Sequence, residues 1–251
     1  MTPVIASLFR HPVKGLTPEP LDSIELKAGE YFPNDRKWAV EVGPSGFDPA
    51  APRHISKMRF TVLARFPELA SLRTRLSDDG VTFHIGDAHG FGIEARLDME
   101  ESREALTRFL HAFLGEEAQL RVLSAPGHSF MDHLQGYVSV INLASVRALG
   151  SAIGAEIDPL RFRANIYVDG LPAWAEDNLI SGQIAGVGAA KLKMFKPIVR
   201  CIATHANPDT GLRDIDMLDA LRRHFSRDTM GVYFSVEQDG RVAREDAVTF
   251  A

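Results

Sequence analysis

The sequence predicts a β-dominated α+β fold, and three observations carry that expectation. Its first half is a run of short segments rich in β-formers, each bounded by Gly, Pro or Asp. One strongly periodic stretch, between Glu100 and Leu114, breaks that run with helical spacing. There is no regular strand–helix alternation of the kind that builds a doubly wound parallel sheet, and no internal repeat or low-complexity tract.

The early strands are expected at Val4 to Val13, Ile24 to Lys27, Lys37 to Val42, Phe60 to Phe66, Val81 to Ile85 and Phe91 to Arg96. So many short strands point to a barrel or a sandwich. In the segment from Glu100 to Leu114, the residues Leu106, Phe109, Leu110, Phe113 and Leu114 fall on one helical face, and Gly115 supplies the stop. Strands at Gln119 to Leu123 and Tyr137 to Ile141 follow, then a helix from Leu143 to Ile153 with Asn142 as N-cap. Further strands are expected at Phe162 to Val168, Lys191 to Phe195 and Val199 to Thr204, with a helix from Ile215 to Phe225 behind Asp214. The last pair, Gly231 to Glu237 and Val242 onward, flanks Gln238-Asp239-Gly240, a hairpin signal. The helix after Glu100 marks the junction, which divides the chain into residues 1–117 and 118–251. No flexible linker separates the halves, so they are expected to pack tightly.

Composition narrows the function classes. At 251 residues and 45% hydrophobic, the chain can bury a sizeable core. A net charge of -5 argues against broad electrostatic binding of nucleic acid or an anionic membrane, while leaving room for a local basic pocket. Its single cysteine cannot form an internal disulfide. That favours a reducing compartment, and with no leader or membrane-length apolar run in view, a cytoplasmic protein is expected.

Most familiar catalytic motifs fail on spacing. Gly186-Val187-Gly188-Ala189-Ala190-Lys191 lacks the last glycine of a dinucleotide fingerprint and reads as a turn between strands. Gly43-Pro44-Ser45-Gly46 is one residue short of a nucleophile elbow and reads as a hairpin loop. The nine histidines form no zinc-like pair with acidic support, and one cysteine rules out a thiolate-rich zinc site.

Two polar features remain. In Arg161-Phe162-Arg163-Ala164-Asn165-Ile166-Tyr167-Val168-Asp169-Gly170, a strand would place Arg161, Arg163, Asn165, Tyr167 and Asp169 on one face. That row is either a solvated face or a wall for an anionic, ring-containing ligand. The second is Arg200-Cys201, followed closely by Asn207-Pro208-Asp209-Thr210-Gly211. Cys201 on its own is either a buried apolar filler or a metal ligand or nucleophile.

These motifs, together with Trp174-Ala175-Glu176-Asp177, resemble the MOSC domain of molybdenum cofactor proteins. At the front, His11-Pro12-Val13-Lys14-Gly15 and Asn34-Asp35-Arg36-Lys37-Trp38 resemble signatures of the MOSC N-terminal β-barrel domain, found in the mitochondrial amidoxime reducing component and its bacterial relatives. The resemblance implies a MOSC-type barrel packed on an N-terminal β-barrel-like domain, with a cofactor site between them. It implies that Cys201 ligates molybdenum, and that Lys14, Arg36, Arg163, Asn165 and Arg200 hold the pterin and its phosphate. Ser139, Asn142 and Ser145 match a cofactor-facing segment, although capping a helix accounts equally well for Asn142. Asp209 would orient substrate or relay a proton, or else simply form a turn; His128 and His133 would lie at the pocket mouth or serve structure. The chain departs from the pattern at Gly15-Leu16, where relatives carry Ser-Cys, and at Glu245-Asp246, where a Gly-Asp pair is common.

The implied function is a molybdenum-dependent oxidoreductase performing a two-electron reduction, or oxygen-atom transfer, on small N-hydroxylated substrates. No motif for a bound flavin, iron–sulfur cluster or nicotinamide is present, so a separate electron-donor protein is implied. Two alternatives stand beside it: sulfur transfer through a Cys201 persulfide, and a barrel that binds the cofactor without catalysis.

Overall fold

A computed structural model describes residues 2–115, 118–133 and 137–250. The first half contains β1 (Val4–Arg10), β2 (Glu19–Leu21), β3 (Ser23–Leu26), β4 (Ala39–Val42), β5 (Arg73–Leu76), β6 (Thr82–Gly86), β7 (Gly92–Arg96), α1 (Glu100–Leu114) and β8 (Leu120–Leu123). The second contains β9 (Val138–Asn142), α2 (Leu143–Ile153), β10 (Ile166–Asp169), β11 (Ile184–Val187), β12 (Ala190–Val199), α3 (Met217–Phe225), β13 (Thr229–Gln238), β14 (Gly240–Ala243) and β15 (Val248–Phe250). The expected β-dominated α+β class is what the structure shows. The expected boundary at 117 falls on Glu117, outside the described residues.

A curled eight-stranded sheet, in the order β15-β11-β12-β13-β9-β10-β1-β2, dominates the molecule. Its strands alternate buried and exposed side chains; β12 sends Ala190, Leu192 and Met194 inward and Lys191 and Lys193 outward. The inward set joins Ile5, Leu8, Ile166, Val232 and Phe234 in one apolar core. β1 pairs antiparallel with β10 and β2 with β1, so the first strands of the chain complete the sheet built by the second half, while β3 and β14 form a separate two-stranded sheet. A separate core around Trp38, Leu69, Phe83 and Leu110 fills the space among β4 to β8 and α1. Among the described residues no helix is long and apolar enough to cross a membrane.

The helices follow their local chemistry. α1 ends at Gly115 in the left-handed region (φ 61°), where glycine carries no Cβ penalty. Asn142 caps α2 by accepting from the Ala144 N–H at 3.0 Å. α3 starts two residues later than expected, because Asp216 and not Asp214 supplies the cap, accepting from the Asp219 N–H at 2.9 Å.

Several expected strands are corrected. Phe60 makes only an isolated bridge to Glu41, and the chain then turns through the short 3-10 segment Pro67–Ser71. β13 and β14 do not form a hairpin across Asp239-Gly240: β14 pairs with β3, and Asp239 accepts from the Ala28 N–H at 2.7 Å. The Gly43 to Gly46 loop joins no strand pair either, since β4 pairs with β8; Ser45 donates to the Glu41 carboxylate instead. Gly188-Ala189 does form the expected tight turn, between β11 and β12.

Candidate functional site

The tract from Arg161 to Asp169 is not one strand. Asp158 and Pro159 start a 3-10 turn over Pro159–Phe162, Arg163 takes a left-handed conformation (φ 51°), and the strand begins only at Ile166. The alternation expected for Arg161, Arg163 and Asn165 is therefore absent. Two of the non-glycine residues with positive φ, Arg36 and Arg163, carry their guanidiniums into the same cleft. Such backbone is costly for a side chain with a Cβ and is held only where surroundings over-determine it. Here the Arg36 N–H donates to the His11 carbonyl at 2.6 Å, and the Arg163 N–H to the Leu160 carbonyl at 3.0 Å.

The end of β12 brings the cysteine to that cleft. Register shifts between Met194 and Lys196 and between Pro197 and Val199 bend the strand, and Pro197, which cannot donate to a ladder, sits between them. β12 ends at Val199 and Cys201 precedes the 3-10 turn Ile202–His205, so the strand expected from Val199 to Thr204 does not form. Thr204 holds the Cys201 carbonyl twice, by its N–H at 3.0 Å and its hydroxyl at 2.9 Å.

Between the two halves lies a cleft of about 290 Å³. Its lining includes Lys14, Arg36, Lys57, Arg161, Arg163, Lys196 and Arg200 against a single carboxylate, Asp132, among the described residues. Cys201 and Ser139 line it too. That imbalance makes the cleft electropositive.

The cations are held in different ways. Arg163 donates to the Leu16 carbonyl at 2.7 Å, and Arg200 to the carbonyls of Phe162 at 2.9 Å and Met230 at 2.8 Å. Neither has a carboxylate partner among the described residues, and burial pulls each down to about 10, which leaves both charged at neutral pH. Arg36 pairs with the buried Asp35 and also donates to the Arg163 carbonyl at 3.1 Å. Burial opposes the charge on Arg36, but Asp35 outweighs it and raises its pKa. Lys14 donates to the Phe130 carbonyl at 2.7 Å and pairs with Asp132; burial, only partly offset by Asp132, lowers its pKa.

Lys57 was not foreseen. Its ammonium lies 3.3 Å from Cys201 Sγ and 3.1 Å from Asp132 Oδ2. Burial opposes its charge, but Asp132 and Cys201 more than restore it, so its pKa is raised. Nothing in Ser56-Lys57-Met58-Arg59 distinguishes it from a solvated charge, and Asp132 is equally anonymous in sequence.

Residues 2–119 match the MOSC N-terminal beta barrel domain and residues 127–249 match the MOSC domain. The chain belongs to the MOSC domain proteins. It is 31% identical over 156 residues to a protein named molybdenum cofactor sulfurase from Caenorhabditis briggsae, covering 61% of this chain and 19% of that one. It is 29% identical over 121 residues to mitochondrial amidoxime-reducing component 1 of Mus musculus, covering 43% of this chain and 35% of that one. The human protein of the same name is 25% identical over 189 residues, 66% of this chain and 55% of its own. The chain thus spans less than two thirds of each of these relatives.

The MOSC motif residues separate into those on the cleft and those behind it. Lys14, Arg36, Ser139, Arg163, Arg200 and Cys201 line it together. Asn165 is fully buried and supports Ser139, accepting from its hydroxyl at 2.7 Å and its N–H at 3.1 Å. Asn142 and Ser145 lie outside the cleft, where both donate to Glu176 Oε2, at 2.8 and 2.9 Å. Asp209 is also outside it, exposed and paired with Arg73 at 2.7 Å. His133 lines the cleft beside the stacked rings of Tyr137 and Phe195, whereas His128 packs on Phe47 and Phe130. At Gly15, a Cβ would come within 1.8 Å of the Thr61 carbonyl oxygen.

Proposed function

We propose that this MOSC protein binds the molybdenum cofactor in the cleft between its halves and acts as a two-electron oxidoreductase on small N-hydroxylated substrates. What supports this reading is one coincidence in space: the only thiol of the chain opens onto the same cleft as Lys14, Arg36, Arg163 and Arg200. The donor set suits the group. A thiolate is a soft ligand fit for such a metal. Buried guanidiniums whose own partners are backbone carbonyls have charge left over for a phosphate. The absence of any cluster of three or more His, Cys, Asp or Glu among the described residues fits a metal held mainly by its pterin and one protein sulfur. Names of the relatives point the same way.

When bound, the cofactor supplies two-electron redox chemistry and an open coordination position. The chain supplies the rest. Cys201 provides the sulfur; Thr204 fixes the backbone behind it; Arg36, Arg163 and Arg200 hold the anionic end; and Lys14, braced by Phe130 and Asp132, closes the near wall. Electrons come from a separate redox protein in this proposal. Protein produced in cofactor-competent cells should contain molybdenum near equimolar, and Cys201→Ala should lose both metal and reductase turnover while still folding. Absence of molybdenum and of pterin from the wild type would refute it.

The relative named as a sulfurase gives a second reading, in which Cys201 carries a transferable sulfur. A labile added sulfur on native protein free of molybdenum, detected by mass, would favour it.

A further inference from the structure

We infer that Lys57 is a specificity-determining cation that draws small anionic reactants to the Cys201 sulfur. This rests on Cys201 standing at the centre of the proposed site, but not on which metal, if any, it holds.

The cations of the cleft fall into two groups by access. Lys14, Arg161 and Arg36 are buried or nearly so, whereas the Lys57 side chain is 34% exposed and Lys196 is exposed as well, but only Lys57 is in contact with the sulfur. An ammonium carries three N–H donors. Cys201 Sγ and Asp132 Oδ2 accept from two of them, and no third acceptor exists among the described residues. A charged donor is therefore free within reach of the sulfur. On the cleft wall, the buried Arg161 is pinned through its terminal nitrogens to the His205 carbonyl and Asp214, and its Nε–H has no partner. A buried donor left unmatched in a cation-lined cleft is what an anionic ligand or its water would satisfy.

The surroundings of Lys57 define the reactant further. Val199, which lines the cleft, is 67% exposed. An exposed apolar side chain on the wall of a polar cleft leaves room for a small organic reactant beside the cations. The inner cations suit the phosphate of a cofactor; Lys57, the accessible one in contact with the sulfur, suits a small molecule with an anionic head.

Because the chain has one cysteine, thiol loss reads a single site. The test compares alkylation of full-length, metal-free protein, from cells grown without molybdate, by anionic iodoacetate and neutral iodoacetamide at the same pH. Each reagent forms an S–C bond and releases iodide, so the ratio of their rates cancels the thiolate fraction and isolates attraction for the anion. Wild type should favour iodoacetate relative to glutathione. Lys57→Met should lower the ratio by about fivefold, the effect of one unit charge a few ångströms away at high dielectric, and Lys57→Arg should restore it. Asp132→Asn, which removes the competing carboxylate, should raise it. A Lys57→Met ratio equal to wild type, or a fall in Asp132→Asn, overturns the inference. Wild-type protein that never carries molybdenum would refute the proposed function yet leave these ratios standing.

Discussion

Arg163 and Leu16 tie the two halves of the chain together: the guanidinium of Arg163, from the turn before β10, donates to the Leu16 carbonyl at 2.7 Å. The Arg163 carbonyl in turn accepts from Arg36 at 3.1 Å. Position 163 therefore couples local backbone, domain packing and the charge of the site. Arg163→Met should lower unfolding free energy by about 1–3 kcal/mol, since it strands a buried acceptor. Urea unfolding should show a lower midpoint at unchanged slope. Inorganic phosphate should then stabilise the variant less than it stabilises wild type, measured as the rise in thermal midpoint.

Gly15 is a position where the backbone leaves no room for a side chain. Its φ is 84°, and a Cβ would meet the Thr61 carbonyl oxygen at 1.8 Å. Thr61 cannot yield cheaply, because its N–H donates to the Val40 carbonyl in β4 at 2.8 Å. Gly15→Ser should destabilise the protein by at least about 2 kcal/mol. Thermal unfolding would check this; a serine variant as stable as wild type would mean that the 15 and 61 loops part readily.

Much of this was legible in sequence because it depends on local rules. The face from Leu106 to Leu114, the Asn142 cap and the Gly115 stop each follow from chemistry within one helix turn, and the structure contains them. What local rules miss is partner choice. Asp239-Gly240 has hairpin chemistry, yet β14 finds β3, some two hundred residues away in the chain. The tract at Arg161 has strand-like composition, yet Asp158 and Pro159 open a 3-10 turn there. Cleft residues with a fixed motif around them, such as Cys201 and Arg163, stood out, whereas Lys57 and Asp132 acquire meaning only when distant loops converge.

Asp209 illustrates the reverse case, a motif residue that the fold leaves in solvent. Its side chain is 76% exposed and its partner Arg73 is 57% exposed. Exposed pairs of this kind contribute between about 0 and 1 kcal/mol. Asp209→Asn should therefore change stability by less than about 1 kcal/mol and leave molybdenum content unaltered. A large fall in turnover at full metal loading would instead return Asp209 to the reaction, through motion of its loop toward the cleft.

His11 gives the fold a pH dependence with a definite sign. The ring is fully buried, and neither nitrogen has a hydrogen-bond partner; Nδ1 stands 3.4 Å from Asp35 Oδ1. Burial first, then the guanidiniums of Arg36 and Arg163, push its pKa down to about 3, against the pull of Asp35. An unfolded histidine titrates near ~6.5, so below that pH the unfolded chain binds a proton that the native state refuses. This stability is complete above pH about 6.5 and is lost progressively as pH falls toward the folded value, by up to about 1.4 kcal/mol per unit. Asp35 acts in a separate, lower window: burial favours its protonated form, but Arg36 and His11 together hold it well below the usual carboxylate range, so its contribution fades only below pH about 4. His128, His133 and His205 are shifted in the same direction by burial, so the slope for wild type is a sum. Urea unfolding of wild type and His11→Asn at pH 7, 6 and 5 separates the share of His11. The variant should lose less stability on acidification, by about one proton's worth of slope, and equal slopes would mean that the native state protonates His11 by opening the Asp35–Arg36 pair.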